Sequence, residues 1–144
     1  VNVNHLEATK TVVGDSAAGT AGTATITIDT LGFAYASVDV VVAKSSTASH
    51  TAASVLNSLA LYQGDTTAAT ASVYTVSAPA ASVAVTSQAS VVRLDLDLRG
   101  KQRYVKVDAS AVGSLATNIV ARLGKAEVGP DSASEMGALA KYSG

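Results

Sequence analysis

The chain has 144 residues, enough for one domain with a real hydrophobic core, and a formal net charge of −1 with only 15% of residues charged. No global field draws it to phosphate backbones or anionic lipid, so neither direct nucleic-acid contact nor a membrane is an expected partner. The absence of cysteine removes disulfides, thiolate metal sites and a Cys nucleophile, while 48% apolar content with 4% aromatics and no Trp points to a core of Ala, Val and Leu.

A surface this poor in charge and rich in Ala, Ser and Thr suits a protein whose faces are covered in an array. The polar opening Val1-Asn2-Val3-Asn4-His5 lacks the basic and apolar regions of a signal peptide. The longest apolar stretch, around Val38 to Ala43, is far short of the ~20 residues of a membrane helix.

In chain order, Thr9 to Gly22 is rich in Gly, Ala, Thr and Ser and reads as a loop. Thr23 to Ile28 alternates, with Ala24, Ile26 and Ile28 on one side and threonines on the other, the period of a half-buried strand. After a turn at Asp29-Thr30-Leu31-Gly32, Phe33 to Ala43 places Ala34, Ala36, Val38, Val40 and Val42 on one face, which predicts a long central strand. Lys44 to Ser54 is small and polar and reads as a connection.

Leu56 to Gln63 predicts a strand ended by Gly64-Asp65-Thr66-Thr67, Ala71 to Ser77 a strand stopped before Pro79, and Ser82 to Thr86 a weak one. The strongest alternation is Ser90 to Leu98, with Val92, Leu94, Leu96 and Leu98 opposed to Val91, Arg93, Asp95 and Asp97. A turn at Arg99-Gly100-Lys101-Gln102 leads to a strand over Arg103 to Asp108, and a last strand covers Leu115 to Leu123.

Short strands between turn signals, with no helical period, predict an all-β antiparallel β-sandwich of jelly-roll type with extended N- and C-terminal tails. The expected organisation is an N-terminal arm and loop over 1–22, a sandwich over 23–124 and a C-terminal arm over 125–144. A four-residue connection is a common hairpin length, so Ser90–Leu98 and Arg103–Asp108 are expected to pair with Leu98 opposite Arg103. That register sets Asp95 opposite Lys106 and Arg93 opposite Asp108 on the outer face, with Leu96 opposite Val105 inside.

No cluster reads as catalytic, and no cofactor or metal is expected. Asp95 and Asp97 lie about 7 Å apart on one strand face, a spacing compatible with glycoside hydrolysis. Arg93, Lys101, Arg103 and Lys106 nearby would lower their pKa values, whereas a general acid needs one raised; a solvated, salt-bridged face is the expectation. His5 and His50 have no metal-ligand spacing, and no G-x-S-x-G elbow singles out a serine. Gly14-Asp15-Ser16-Ala17-Ala18-Gly19-Thr20 lacks the Lys of a phosphate loop and precedes a strand, and Asp65 with Thr66 and Thr67 is a turn rather than a calcium loop.

The stretch Leu94-Asp95-Leu96-Asp97-Leu98-Arg99-Gly100-Lys101-Gln102-Arg103-Tyr104-Val105-Lys106-Val107, with Ala121-Arg122-Leu123-Gly124-Lys125-Ala126, resembles the C-terminal part of bacteriophage capsid cement, or head-decoration, proteins. The likeness covers roughly the last third of the domain. Leu59 to Thr67 occupies the place of a strand running into an acidic turn, without the run of adjacent acids the family carries there. The resemblance implies a jelly roll, assembled as a homotrimer over junctions between major capsid subunits, on the virion surface after assembly in the host cytoplasm. It brings neither cofactor nor catalysis.

Candidate contact residues with other subunits are Val1, Val3, His5 and Leu6 in the N-terminal arm and Met136, Leu139 and Tyr142 in the C-terminal arm, each too sparse in apolar groups to dock on its own domain. A competing expectation is a sugar-binding or adhesin module. It is disfavoured by the missing Trp and by a supply of only Phe33, Tyr35, Tyr62, Tyr74, Tyr104 and Tyr142.

Overall fold

The computed structural model describes residues 9–16, 22–43, 56–77, 89–111 and 115–126. Eight strands follow one another: β1 (Lys10–Val13), β2 (Thr23–Asp29), β3 (Phe33–Val42), β4 (Leu56–Gly64), β5 (Ala71–Ser77), β6 (Ser90–Asp97), β7 (Tyr104–Ala111) and β8 (Thr117–Ala126). They form two four-stranded antiparallel sheets, β1-β8-β3-β6 and β2-β7-β4-β5, packed as a sandwich.

The order follows from one operation. Drawn as a single long hairpin, the chain pairs β1 with β8, β2 with β7, β3 with β6 and β4 with β5, and all four pairs are present. Rolling that ribbon brings β8 beside β3 and β7 beside β4, which closes the two sheets. This is the jelly-roll arrangement of eight strands.

Alternation explains the core. Ala24, Ile26 and Ile28 of β2, Val38, Val40 and Val42 of β3, Val105, Val107 and Ala109 of β7 and Ile119, Ala121 and Leu123 of β8 point between the sheets and are almost wholly buried. The largest of these are Ile and Leu, so the interior is filled by small and medium aliphatic groups, as composition predicts.

Among the fully described connections, two pass from one sheet to the other by short turns. Between β2 and β3, Thr30 donates both its backbone N–H and its hydroxyl to the Arg103 carbonyl, at 2.9 and 2.8 Å. Between β6 and β7, the Leu98 N–H still bonds Ala34 of the first sheet, while the Arg103 carbonyl already serves the second. The intervening turn is closed by Lys101 N–H to the Leu98 carbonyl at 3.0 Å, with Gly100 at φ +81° in the third position, where a type II turn requires it.

That crossing corrects the expected hairpin. β6 pairs with β3 and β7 with β2 and β4, so Asp95 does not face Lys106 and Arg93 does not face Asp108. Four residues are enough either to turn back within a sheet or to step the ~10 Å between sheets. Local sequence does not separate the two.

Two further boundaries move. The N-terminal stretch expected as arm and loop holds β1, whose register runs from Lys10 opposite Leu123 to Val13 opposite Val120. Its four residues, Lys-Thr-Val-Val, are too few to alternate visibly. At the other end β8 continues to Ala126, opposite Phe33, so the sandwich includes two residues assigned to the C-terminal arm. The expected strand at 82–86 lies outside the described residues.

Candidate functional site

All strands being antiparallel, their termini sort into two groups. The N-terminus of β1, the C-terminus of β8 and the turns around residues 30–32, 65–70 and 98–103 share one end of the sandwich, called here the short-turn end. The turn after β6 and the end of β8 meet there. Arg99, from the turn after β6, lies 5.0 Å from the centre of the Tyr35 ring, and Lys125, near the end of β8, lies 5.6 Å from it.

Most charge at this end and on the adjoining faces is neutralised within the molecule. Arg99 grips Asp97 through two guanidinium contacts of 2.9 and 2.7 Å, and its backbone N–H adds a third at 3.0 Å. Those contacts hold the Asp97 carboxyl down to about 2. Arg103 grips Asp29 in the same forked way at 3.1 and 2.8 Å, and Arg93 grips Asp39 at 2.7 and 2.8 Å; each lowers the carboxyl it binds. Lys106 and Asp108, expected to meet partners on β6, instead pair along their own strand at 3.4 Å, and Asp108 accepts the Thr25 hydroxyl at 2.8 Å.

Asp95 is held differently. It stands opposite Ser37 on β3, whose hydroxyl donates to it at 2.7 Å. Asp97 is shifted below the usual carboxylate range, opposite in direction to the raised value a general acid needs. Among the described residues no group of three or more His, Cys, Asp or Glu could hold a metal ion.

The outer face of the β1-β8-β3-β6 sheet carries a depression of about 520 Å³ lined by Tyr35, Ser37, Asp95, Asp97, Arg122 and Gly124, among others. Register explains its shape. In one cross-strand row Arg122, Ser37 and Asp95 stand side by side, and in the next Gly124, Tyr35 and Asp97 do. The small residues Ser37 and Gly124 form the low ground, with longer side chains around them. Sequence reasoning missed Ser37, Arg122 and Gly124 because they come from two strands 85 or more positions apart in the chain. Period-2 alternation marks each as outward-facing, but only strand order makes them neighbours.

Val1, Val3, His5, Leu6, Met136, Leu139 and Tyr142, the expected subunit contacts, lie outside the described residues, as does His50. No helix among the described residues is long and apolar enough to cross a membrane. Scans against protein-family models, curated proteins and solved structures give no match to this chain.

Proposed function

We propose that this protein is a non-enzymatic shell component that self-associates and decorates a phage capsid by binding at junctions between major capsid subunits. The observation that carries the reading is the β5 edge of the β2-β7-β4-β5 sheet, which no described strand covers. Strand β5, Ala71-Ser72-Val73-Tyr74-Thr75-Val76-Ser77, has no charged residue and no proline, and Val73 and Tyr74 are 40% and 47% exposed. Monomers normally guard such an edge with Lys, Pro or a covering element; among the described residues the edge is interrupted by the register shift at Leu61 and Tyr62.

Two further features support it. The forked Arg–Asp pairs use up charge internally and leave faces suited to uncharged protein contacts. Residues 44–55 and 78–88, which join the strands, contain one charged side chain, Lys44. Binding energy in such an assembly comes from modest contacts multiplied by symmetry, with a homotrimer as the proposed unit.

The experiment is sedimentation of the purified protein, alone and mixed with phage heads lacking their decoration. Wild-type chain should sediment as a trimer and travel with the heads. Val73→Lys, which puts a charge on the β5 edge, should weaken self-association while leaving the circular dichroism spectrum unchanged. A wild-type protein that remains monomeric and stays at the top of the gradient would reject the proposal.

A further inference from the structure

Around the depression on the outer β1-β8-β3-β6 face, two groups keep binding capacity after the intramolecular pairs are formed. Arg93 and Arg99 are committed to Asp39 and Asp97. Arg122 is exposed and forms no ion pair with any described residue. From the described residues Asp95 accepts one hydrogen bond, from Ser37, although a carboxylate offers about four acceptor positions.

These two groups face each other across β3, about 10 Å apart between backbones, with Ser37 in the middle. One row further on, a Cβ on Gly124 would meet no described atom within 4 Å, so the described residues leave the floor open there. Tyr35 lines the depression, whereas Arg99 and Lys125, which stack on its ring, do not.

A ligand for this place must donate to an acceptor-only carboxylate and accept from a donor-only guanidinium. Asp95 and Arg122 carry opposite charges, each also within electrostatic reach of the Arg93–Asp39 pair, so these four groups have no net charge and suit a ligand that is neutral overall. Over the glycine, and beside a tyrosine ring that already takes the Arg99 and Lys125 cations, it presents carbon and hydrogen rather than a further charge. Phosphate would meet Asp95 and Asp97, and a simple cation would meet Arg122. We infer that the depression is a saccharide-binding site, taking a neutral pyranose over Ser37 and Gly124 against Tyr35, with ring hydroxyls donating to Asp95 and accepting from Arg122. The depression's volume falls in the range of small-ligand sites, about 300–1,000 Å³.

The assignment does not depend on shell assembly, and a different measurement decides it. Saturation-transfer NMR would be run on the full chain with methyl glucoside, galactoside, mannoside and N-acetylglucosaminide, and with glycine and inorganic phosphate as competing probes. At least one pyranoside should receive saturation at its ring C–H protons. Gly124→Val, whose Cβ meets no described atom within 4 Å, puts a branched side chain on the floor and should abolish the signal while the protein stays folded. Asp95→Asn, which loses the charge-assisted acceptor, should weaken affinity roughly tenfold. The inference is overturned if no pyranoside receives saturation, if binding survives in a folded Gly124→Val protein or at full strength in Asp95→Asn, or if glycine or phosphate binds there instead.

Discussion

Replacing Gly14 by Ala should destabilise the sandwich far more than an exposed glycine substitution ordinarily does. After Val13 the chain leaves the first sheet: Gly14 N–H bonds the Ile119 carbonyl at 2.9 Å, and Asp15 N–H bonds the Thr25 carbonyl of the second sheet at 2.8 Å. Gly14 is therefore the crossing point, and it passes against β2 so closely that a Cβ would stand 2.5 Å from the Thr25 oxygen and 2.7 Å from the Ile26 Cβ. Neither neighbour is a flexible tip, and Ile26 is 1% exposed in the core. Overpacking of this kind costs about 1–3 kcal/mol, and displacing the Asp15 hydrogen bond about 0.5–1.5 kcal/mol more. A total of about 2–4 kcal/mol corresponds to a fall in Tm of roughly 6–15 °C for a chain of this length. Gly124→Ala is the control, since its methyl enters open space and should change stability by less than about 0.5 kcal/mol. Urea unfolding followed by circular dichroism measures both. A Gly14→Ala midpoint within error of wild type, at unchanged m-value, would show that the crossing is not packed as described.

Three other outcomes are expected. Leu123→Ala truncates a fully buried side chain on a strand with partners on both sides, and should cost about 2–5 kcal/mol in equilibrium denaturation. An Asp39→Ala, Arg93→Ala double-mutant cycle should give a small coupling despite the forked geometry, because Arg93 is 60% exposed; a coupling as large as that of a buried pair would contradict solvent screening there. Asp29, Asp39 and Asp97 all have folded pKa values below their unfolded ones, so the unfolded chain takes up protons first as pH falls. Their stabilisation is complete above about pH 4 and for Asp97 is lost between about pH 4 and pH 2; urea midpoints should drop over that window, less steeply in Asp97→Asn, and a flat profile would refute the pairing.

Element identity in this protein was largely written in local pattern. Ala24, Ile26 and Ile28, the valines of Phe33–Val42, and Ala71–Ser77 announce strands because a side-chain period of two is a property of the extended chain itself. The sandwich class follows, since half-buried strands of this length must cover one another. β1 escaped notice because four residues carry too little periodicity, and it is a strand only by virtue of its bonds to β8.

Partner choice was a tertiary decision. Arg93 and Asp95 advertise complementary charge to Lys106 and Asp108 eleven or more residues on, yet find Asp39 and Ser37 on β3, more than fifty positions back in the chain. The depression has the same origin, assembled from Tyr35 and Ser37, Asp95 and Asp97, and Arg122 and Gly124 on three strands. Alternation states which way a side chain points but carries no information about which strand lies alongside. That is settled by how the ribbon rolls to bury both inner faces at once, a free energy summed over the whole core rather than held by any one segment.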